Sequence, residues 1–108
     1  MVSVREALAG EGFEPNPDLL APDVVWVGRW PGELCRNRDE VLEMFQRARE
    51  NGIEARPEIV WEREGTFVVD PHLDGRHQVI LVEDGVVSEV RAYVSRESAI
   101  AAIEGRPW

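Results

Sequence analysis

Asn37-Arg38-Asp39-Glu40-Val41-Leu42-Glu43-Met44-Phe45-Gln46-Arg47-Ala48-Arg49-Glu50-Asn51-Gly52 is the stretch around which the rest of the chain is organised. Asn37 followed by Glu40 is close to a capping box, and Asp39 adds negative charge where the helix dipole favours it. Val41, Leu42, Met44, Phe45 and Ala48 fall on one apolar stripe at helical spacing. Arg47 and Arg49 sit in the last turns, and Gly52 suits the left-handed position beyond a helix end. The spacing predicts an amphipathic helix over about residues 38–50, whose apolar face must be covered.

On its C-terminal side the period switches to two. Residues 58–64, 66–69, 77–83 and 86–95 read as strands. Glu64-Gly65, Asp74-Gly75 and Asp84-Gly85 separate them as turns, since glycine tolerates positive φ. Three successive hairpins predict an antiparallel meander, closed by a short helix over about residues 96–104. Ser95 would cap that helix, Ala99, Ile100 and Ile103 would face inward, and Gly105 would stop it. On the N-terminal side Val24-Val25-Trp26-Val27 reads as a strand. A helical turn over Asn16–Leu20, with Pro17 at its first position and Pro22-Asp23 as its breaker, precedes it. Residues 3–9 suit another short helix. The order predicts an α+β fold: a curved antiparallel sheet wrapped around helices on one face, in one domain spanning residues 1–108. No repeat, low-complexity tract or linker divides it.

Composition narrows the chemistry. The 108 residues carry 21 acidic and 12 basic side chains, a formal charge of −9. All the basic residues are arginine; with no lysine there is no Schiff-base or P-loop lysine. The single Cys35 excludes an internal disulfide and a multi-cysteine zinc site. A pI near 4.6 argues against nucleic acid as a partner. No apolar run reaches the roughly 18 residues of a membrane span, and the first residues are too polar for a signal peptide. A cytoplasmic protein without a cofactor or metal is expected.

Pro22-Asp23-Val24-Val25-Trp26 ahead of Pro31-Gly32 and Arg38-Asp39-Glu40-Val41, followed by the tail Asp84-Gly85-Val86-Val87-Ser88-Glu89-Val90-Arg91-Ala92-Tyr93, resembles a known group. It is similar to the SnoaL-like proteins of the nuclear transport factor 2-like superfamily, which also holds the ketosteroid isomerases. The likeness covers about residues 16–103. It implies a cone-shaped α+β barrel, open at one end, with one internal pocket for a small hydrophobic molecule. Carried over by position, the isomerase base falls on Gly28, which has no side chain. The second acid lands near Gln78, an amide still able to donate a hydrogen bond. The third member is a tyrosine on the first helix, and residues 1–25 contain none. The superfamily's epoxide hydrolases use Asp and Arg, and Glu89 and Arg91 share one strand face. The resemblance turns Ser88, Val90, Ala92 and Val94 inward, which leaves Glu89 and Arg91 as an outer-face pair.

The candidate pocket wall is Trp26, Trp30 and Trp61, whose flat rings suit a planar ligand as well as they suit a core. Met44 and Phe45 come from the helical stripe, where a core role competes. Gln78, Ile80 and Val90 complete the set. Asp70, His72 and His77 would be an acid–base group if they converged, but they flank a turn, where solvated residues are common. Cys35 beside Arg36 and a helix start is a conceivable nucleophile, against the ordinary reading of a buried thiol. Arg29 is placed to reach a ligand anion at the mouth, or to lie exposed.

The combined expectation is a protein that binds a small hydrophobic ligand in an internal cavity without a recognisable catalytic set. An isomerase, cyclase or hydratase on a polar-tipped hydrophobic substrate, with Gln78 as polarising donor, is the alternative. A homodimer through the outer sheet face, carrying Val79, Leu81, Arg91 and Tyr93, is expected in either case.

Overall fold

In a computed structural model, which describes residues 17–28, 34–52, 58–70, 72 and 76–104, a 3-10 turn at Pro17–Leu19 leads into six strands and two helices. The strands are β1 (Leu20–Val27), β2 (Leu34–Cys35), β3 (Glu58–Arg63), β4 (Thr66–Asp70), β5 (His77–Glu83) and β6 (Val86–Tyr93). The helices are α1 (Arg38–Glu50), between β2 and β3, and α2 (Arg96–Glu104), after β6. The expected helix at residues 3–9, the Asp74-Gly75 turn and Gly105 lie outside the described residues.

Both helices start as their sequences predict, and α1 also ends as predicted. Asn37 is extended, and its side chain accepts the Glu40 N–H at 2.9 Å. Glu40 returns the bond one residue further out, accepting the Arg36 N–H at 2.9 Å. The far end closes with Gly52 at φ +71°, its N–H donated to Arg49 O at 3.0 Å. Ser95 Oγ accepts the Ser98 N–H at 3.1 Å and so caps α2. Arg38 serves beyond its helix: Nε and Nη2 both donate to Leu20 O, at 3.1 and 2.9 Å, and tie the start of α1 to the start of β1.

The meander is present. Glu64-Gly65 and Asp84-Gly85 have positive φ at both positions, the backbone of a type I′ hairpin whose twist matches its strands. Gly65 is doubly constrained, because an added Cβ would meet Val82 O at 3.2 Å.

The sheet order is β2-β1-β6-β5-β4-β3. The fold is the expected α+β cone type, with three corrections in its detail. The sheet is mixed, since β1 runs parallel to β6, and it does not close into a barrel. β1 begins at Leu20 and continues through Pro22-Asp23, which do not end it. The extra residues are absorbed as an irregularity: Leu20 pairs with Val87 and Val25 with Glu89. Pro22 and Asp23 are exposed there while Ala21 and Val24 are buried, so proline's missing N–H breaks no ladder.

The third correction concerns the faces. Phe67, Val69, Ile80 and Val90 share one buried cluster with Val41 of α1, and Val68 and Val79 share another with Ala99 and Ile103 of α2. Alternation along β4 and β5 puts these sets on opposite sides. The two helices therefore cover opposite faces of the sheet. Val79, assigned to a subunit contact by the sequence, lies under α2 of its own chain.

Replacing Gly65 by Ala should destabilise the protein by more than about 1 kcal/mol, through positive φ and the crowding at Val82 O. Gly52→Ala meets open space and should cost less. Urea unfolding of the two variants tests this order.

Candidate functional site

The α1 side of the sheet brings most of the expected pocket residues together. β1 and β6 place Trp26 beside Val90, and β5 adds Ile80 opposite Val90. From α1, Phe45 meets Trp26 edge to face, with centroids 5.2 Å apart and planes at 89°. Met44 packs against the same cluster, and its Sδ lies 3.9 Å from Cys35 Sγ. Cys35 is buried on β2 opposite Trp26. This environment is that of a small apolar core residue, on the opposite side of the sheet from His77.

Gln78 shares this face with Ile80, since alternate residues of a strand point the same way. Its cross-strand partners are Val69 and Ala92. It is half-buried, and its side chain forms no hydrogen bond with another described residue. On β4 and β5 the residues that alternation assigns to this face are Phe67, Val69, Gln78, Ile80 and Val82, so the amide is their one hydrogen-bonding side chain. Gly28 follows β1 and is half-buried.

Two of the expected wall residues are not in this group. Trp30, like Arg29, lies outside the described residues. Trp61 packs on the other face with the Val68 and Val79 cluster, and the Arg63 guanidinium carbon stands 5.9 Å from its ring centroid. A bulge explains the displacement. Ile59 pairs with Val69 but Trp61 with Val68, so one extra residue turns Trp61 across the sheet. Arg96 of α2 donates to Val60 O at 3.2 Å at this bulge. Ser88 also departs from the expected inward set: it sits where β6 shifts register against β5, and its Oγ donates to Leu81 O at 3.3 Å. Val94 lies beyond β6 and is 68% exposed.

Asp70, His72 and His77 do converge, on the side away from Gln78. Asp70 Oδ1 accepts the His72 N–H at 2.8 Å, and His72 itself has φ +56°. His72 Nδ1 stands 3.6 Å from Asp70 Oδ2, and its Nε2 3.5 Å from Glu58 Oε1. His77 Nε2 is 3.9 Å from Asp70 Oδ2. Asp70 alternates with Val69 and His77 with Gln78, which puts these two side chains on the sheet face opposite the Gln78 amide. Among the described residues, no group of three or more His, Cys, Asp or Glu is placed to hold a metal ion.

Glu89 and Arg91 pair with each other along β6. Arg91 Nη2 donates to Glu89 Oε1 at 3.2 Å; buried Nε faces Oε2 at 3.0 Å without the alignment of a hydrogen bond. The hydrogen bond to Glu89 raises the Arg91 pKa above its ordinary value. Burial opposes this, and the charges of Glu89 and Tyr93 add to it. With Val79 across the ladder from Arg91, the pair is on the α2 face.

Comparison with known proteins rests on structure. No family model matches the sequence, and no curated protein matches it. Among solved structures, a candidate polyketide cyclase from Sinorhizobium meliloti superposes with TM-score 0.54 at 15% identity, covering 71% of this chain and 77% of that one. A protein from Catenulispora acidiphila with a ketosteroid isomerase-like fold, in complex with trimethylamine, also has TM-score 0.54, at 17% identity over 88% and 84%. A Xanthomonas campestris protein of unknown function with a cystatin-like fold reaches 0.50 at 21% identity over 75% and 78%. These likenesses show an α+β cone fold of the ketosteroid isomerase-like kind.

A raised arginine pKa contributes stability fully below the ordinary arginine range, lost only as pH rises through the folded value. Both limits lie far above neutrality. Arg91→Gln should therefore cost the same at about pH 7 and about pH 9. For a pair this exposed to solvent the cost is about 0.2–1 kcal/mol. Denaturant unfolding at the two pH values checks it.

Proposed function

We propose that this protein binds a small, uncharged, hydrophobic molecule between α1 and the sheet, against Trp26, Met44, Phe45, Ile80 and Val90, with Gln78 meeting its polar end. The observation that carries this reading is the Gln78 amide. The Gln78 side chain is half-buried beside Val69, Ile80 and Ala92 and makes no hydrogen bond to another described residue, so its donor and acceptor are available to a ligand. A ligand with an apolar body and one polar tip supplies their partner. Trp30, three residues past the β1 end of the cluster, belongs to the same reading. The Catenulispora protein in complex with trimethylamine supports a small-molecule role for this fold.

An isomerase, cyclase or hydratase acting there would use Gln78 as a polarising donor. The candidate-cyclase neighbour fits that alternative. Proton transfer at Gln78 would need a base, and Asp70 and His77 alternate onto the other face. The binding reading is therefore favoured. It includes a homodimer through the part of the α2 face where Leu81, Arg91 and Tyr93 are half-buried. It also includes a cytoplasmic location, in keeping with a sequence whose one cysteine, Cys35, can form no internal disulfide. No helix among the described residues is long and apolar enough to cross a membrane.

Titration with naphthalene, followed by quenching of tryptophan emission, should show saturable binding. Ala92→Leu adds bulk beside Gln78 and should weaken that binding about tenfold or more, as expected when roughly 1.4 kcal/mol or more of contact is lost. Its melting temperature should stay near that of the parent. Absence of saturable quenching in the parent would remove the proposal.

A further inference from the structure

We propose that Asn51-Gly52, at the C-terminal end of α1, is a site of spontaneous covalent modification whose rate the helix cap controls. The reaction is attack of the Gly52 backbone nitrogen on Cγ of the Asn51 side chain, with water as the only other reactant. The chain has three asparagines, and the residue that follows each decides which can react. Asn16 precedes Pro17, whose nitrogen carries no hydrogen to lose. Asn37 precedes Arg38, whose side chain crowds the attacking nitrogen, and its Oδ1 is held on the Glu40 N–H at 2.9 Å. Asn51 precedes a glycine, which has no side chain to crowd the nitrogen. Both residues are exposed, and a Cβ placed on Gly52 would meet nothing within 4 Å, so a ring has room to form there.

The atoms balance without an oxidant or a cofactor. The Gly52 nitrogen gives its proton to solvent base and bonds to Asn51 Cγ. The Cγ–Nδ2 bond breaks, and Nδ2 takes a proton from water and leaves as ammonia. Water then opens the resulting cyclic imide at either carbonyl carbon. Cleavage between the nitrogen and Cγ leaves aspartate. Cleavage between the nitrogen and the main-chain carbon of residue 51 leaves isoaspartate, with the chain running through Cγ.

The folded cap opposes the first step. The Gly52 N–H is donated to Arg49 O at 3.0 Å, which shields the proton that must leave. Asn51 Nδ2 donates to Arg47 O at 2.9 Å, which fixes the side chain on the last turn. Asn51 lies at φ −92° and ψ 9°, and ring closure requires rotation about ψ. Reaction therefore waits on opening of the cap, and helix ends are where such local opening is least costly. Either product lacks the Nδ2 donor and adds a carboxylate at the negative end of the helix dipole, so the original cap does not re-form.

Parent protein kept folded in mildly alkaline buffer should show, by peptide mass mapping, the exchange of NH2 for OH at Asn51 and none at Asn16 or Asn37. Electrofocusing should show one further negative charge in the same fraction of molecules. In urea the exchange at Asn51 should run about tenfold faster or more, the size expected when two hydrogen bonds hold the cap. Also in urea, Gly52→Ala should slow it, because the added methyl crowds the nitrogen with or without the cap. No exchange at Asn51 in the folded protein, or an equal one at Asn37, overturns the site. Equal rates in folded and unfolded protein overturn its control by the cap. A Gly52→Ala chain that reacts in urea as fast as the parent overturns attack by the Gly52 nitrogen.

Discussion

The parallel pairing of β1 with β6 is the contact on which the rest of the structure depends. It joins residues 20–27 to residues 87–91, so its loop closure must be offset by burial. Leu20, Val24 and Val90, each at most 1% exposed, supply that burial along the seam. Once β1 is seated, β2 has an edge to pair with and Arg38 has the Leu20 carbonyl to hold. Trp26 then stands where Phe45 of α1 can meet it. Without the seam, α1 would lose Leu20, Val24 and Trp26 from the surface that takes its apolar stripe.

The second constraint is the two-residue period of β4 and β5. Gln78 and His77 are neighbours in the chain and serve opposite sides of the sheet. One side holds an apolar cluster with a single amide among the side chains of those strands. The other holds Glu58, Asp70, His72 and His77 within ion-pair distances, and further along it the Glu89–Arg91 pair. Along β4 and β5 the sheet thus separates Asp70 and His77 from the face that α1 covers.

Much of the fold was legible because it is local. The Asn37 cap, the stripe from Val41 to Ala48, the Gly65 and Gly85 turns and the Ser95 cap act within a few residues of themselves. Of the candidate site, Trp26, Met44, Phe45, Ile80 and Val90 came together because each sits on a periodic apolar face. Trp61 did not, because one extra residue at the Val60 bulge reverses its side and no residue type announces a bulge. β2 was illegible for another reason: two residues have no period, and they are a strand only because Trp26 and Val27 lie alongside. The role of Arg38 toward Leu20 spans 18 residues and has no local signature.

By itself, the sequence determined α1, α2 and the meander, their order and the chemistries that the chain does not carry. Those properties reside in side-chain type and in spacing over a few residues, where conformational preference is decided. Only the tertiary structure decided that β1 runs parallel to β6, that α2 covers Val68 and Val79 on the face opposite α1, and that Gln78 is parted from Asp70 and His77. These depend on which apolar surfaces find each other across long loops. Burial is non-directional, so several arrangements satisfy the same pattern until packing and ladder register select one.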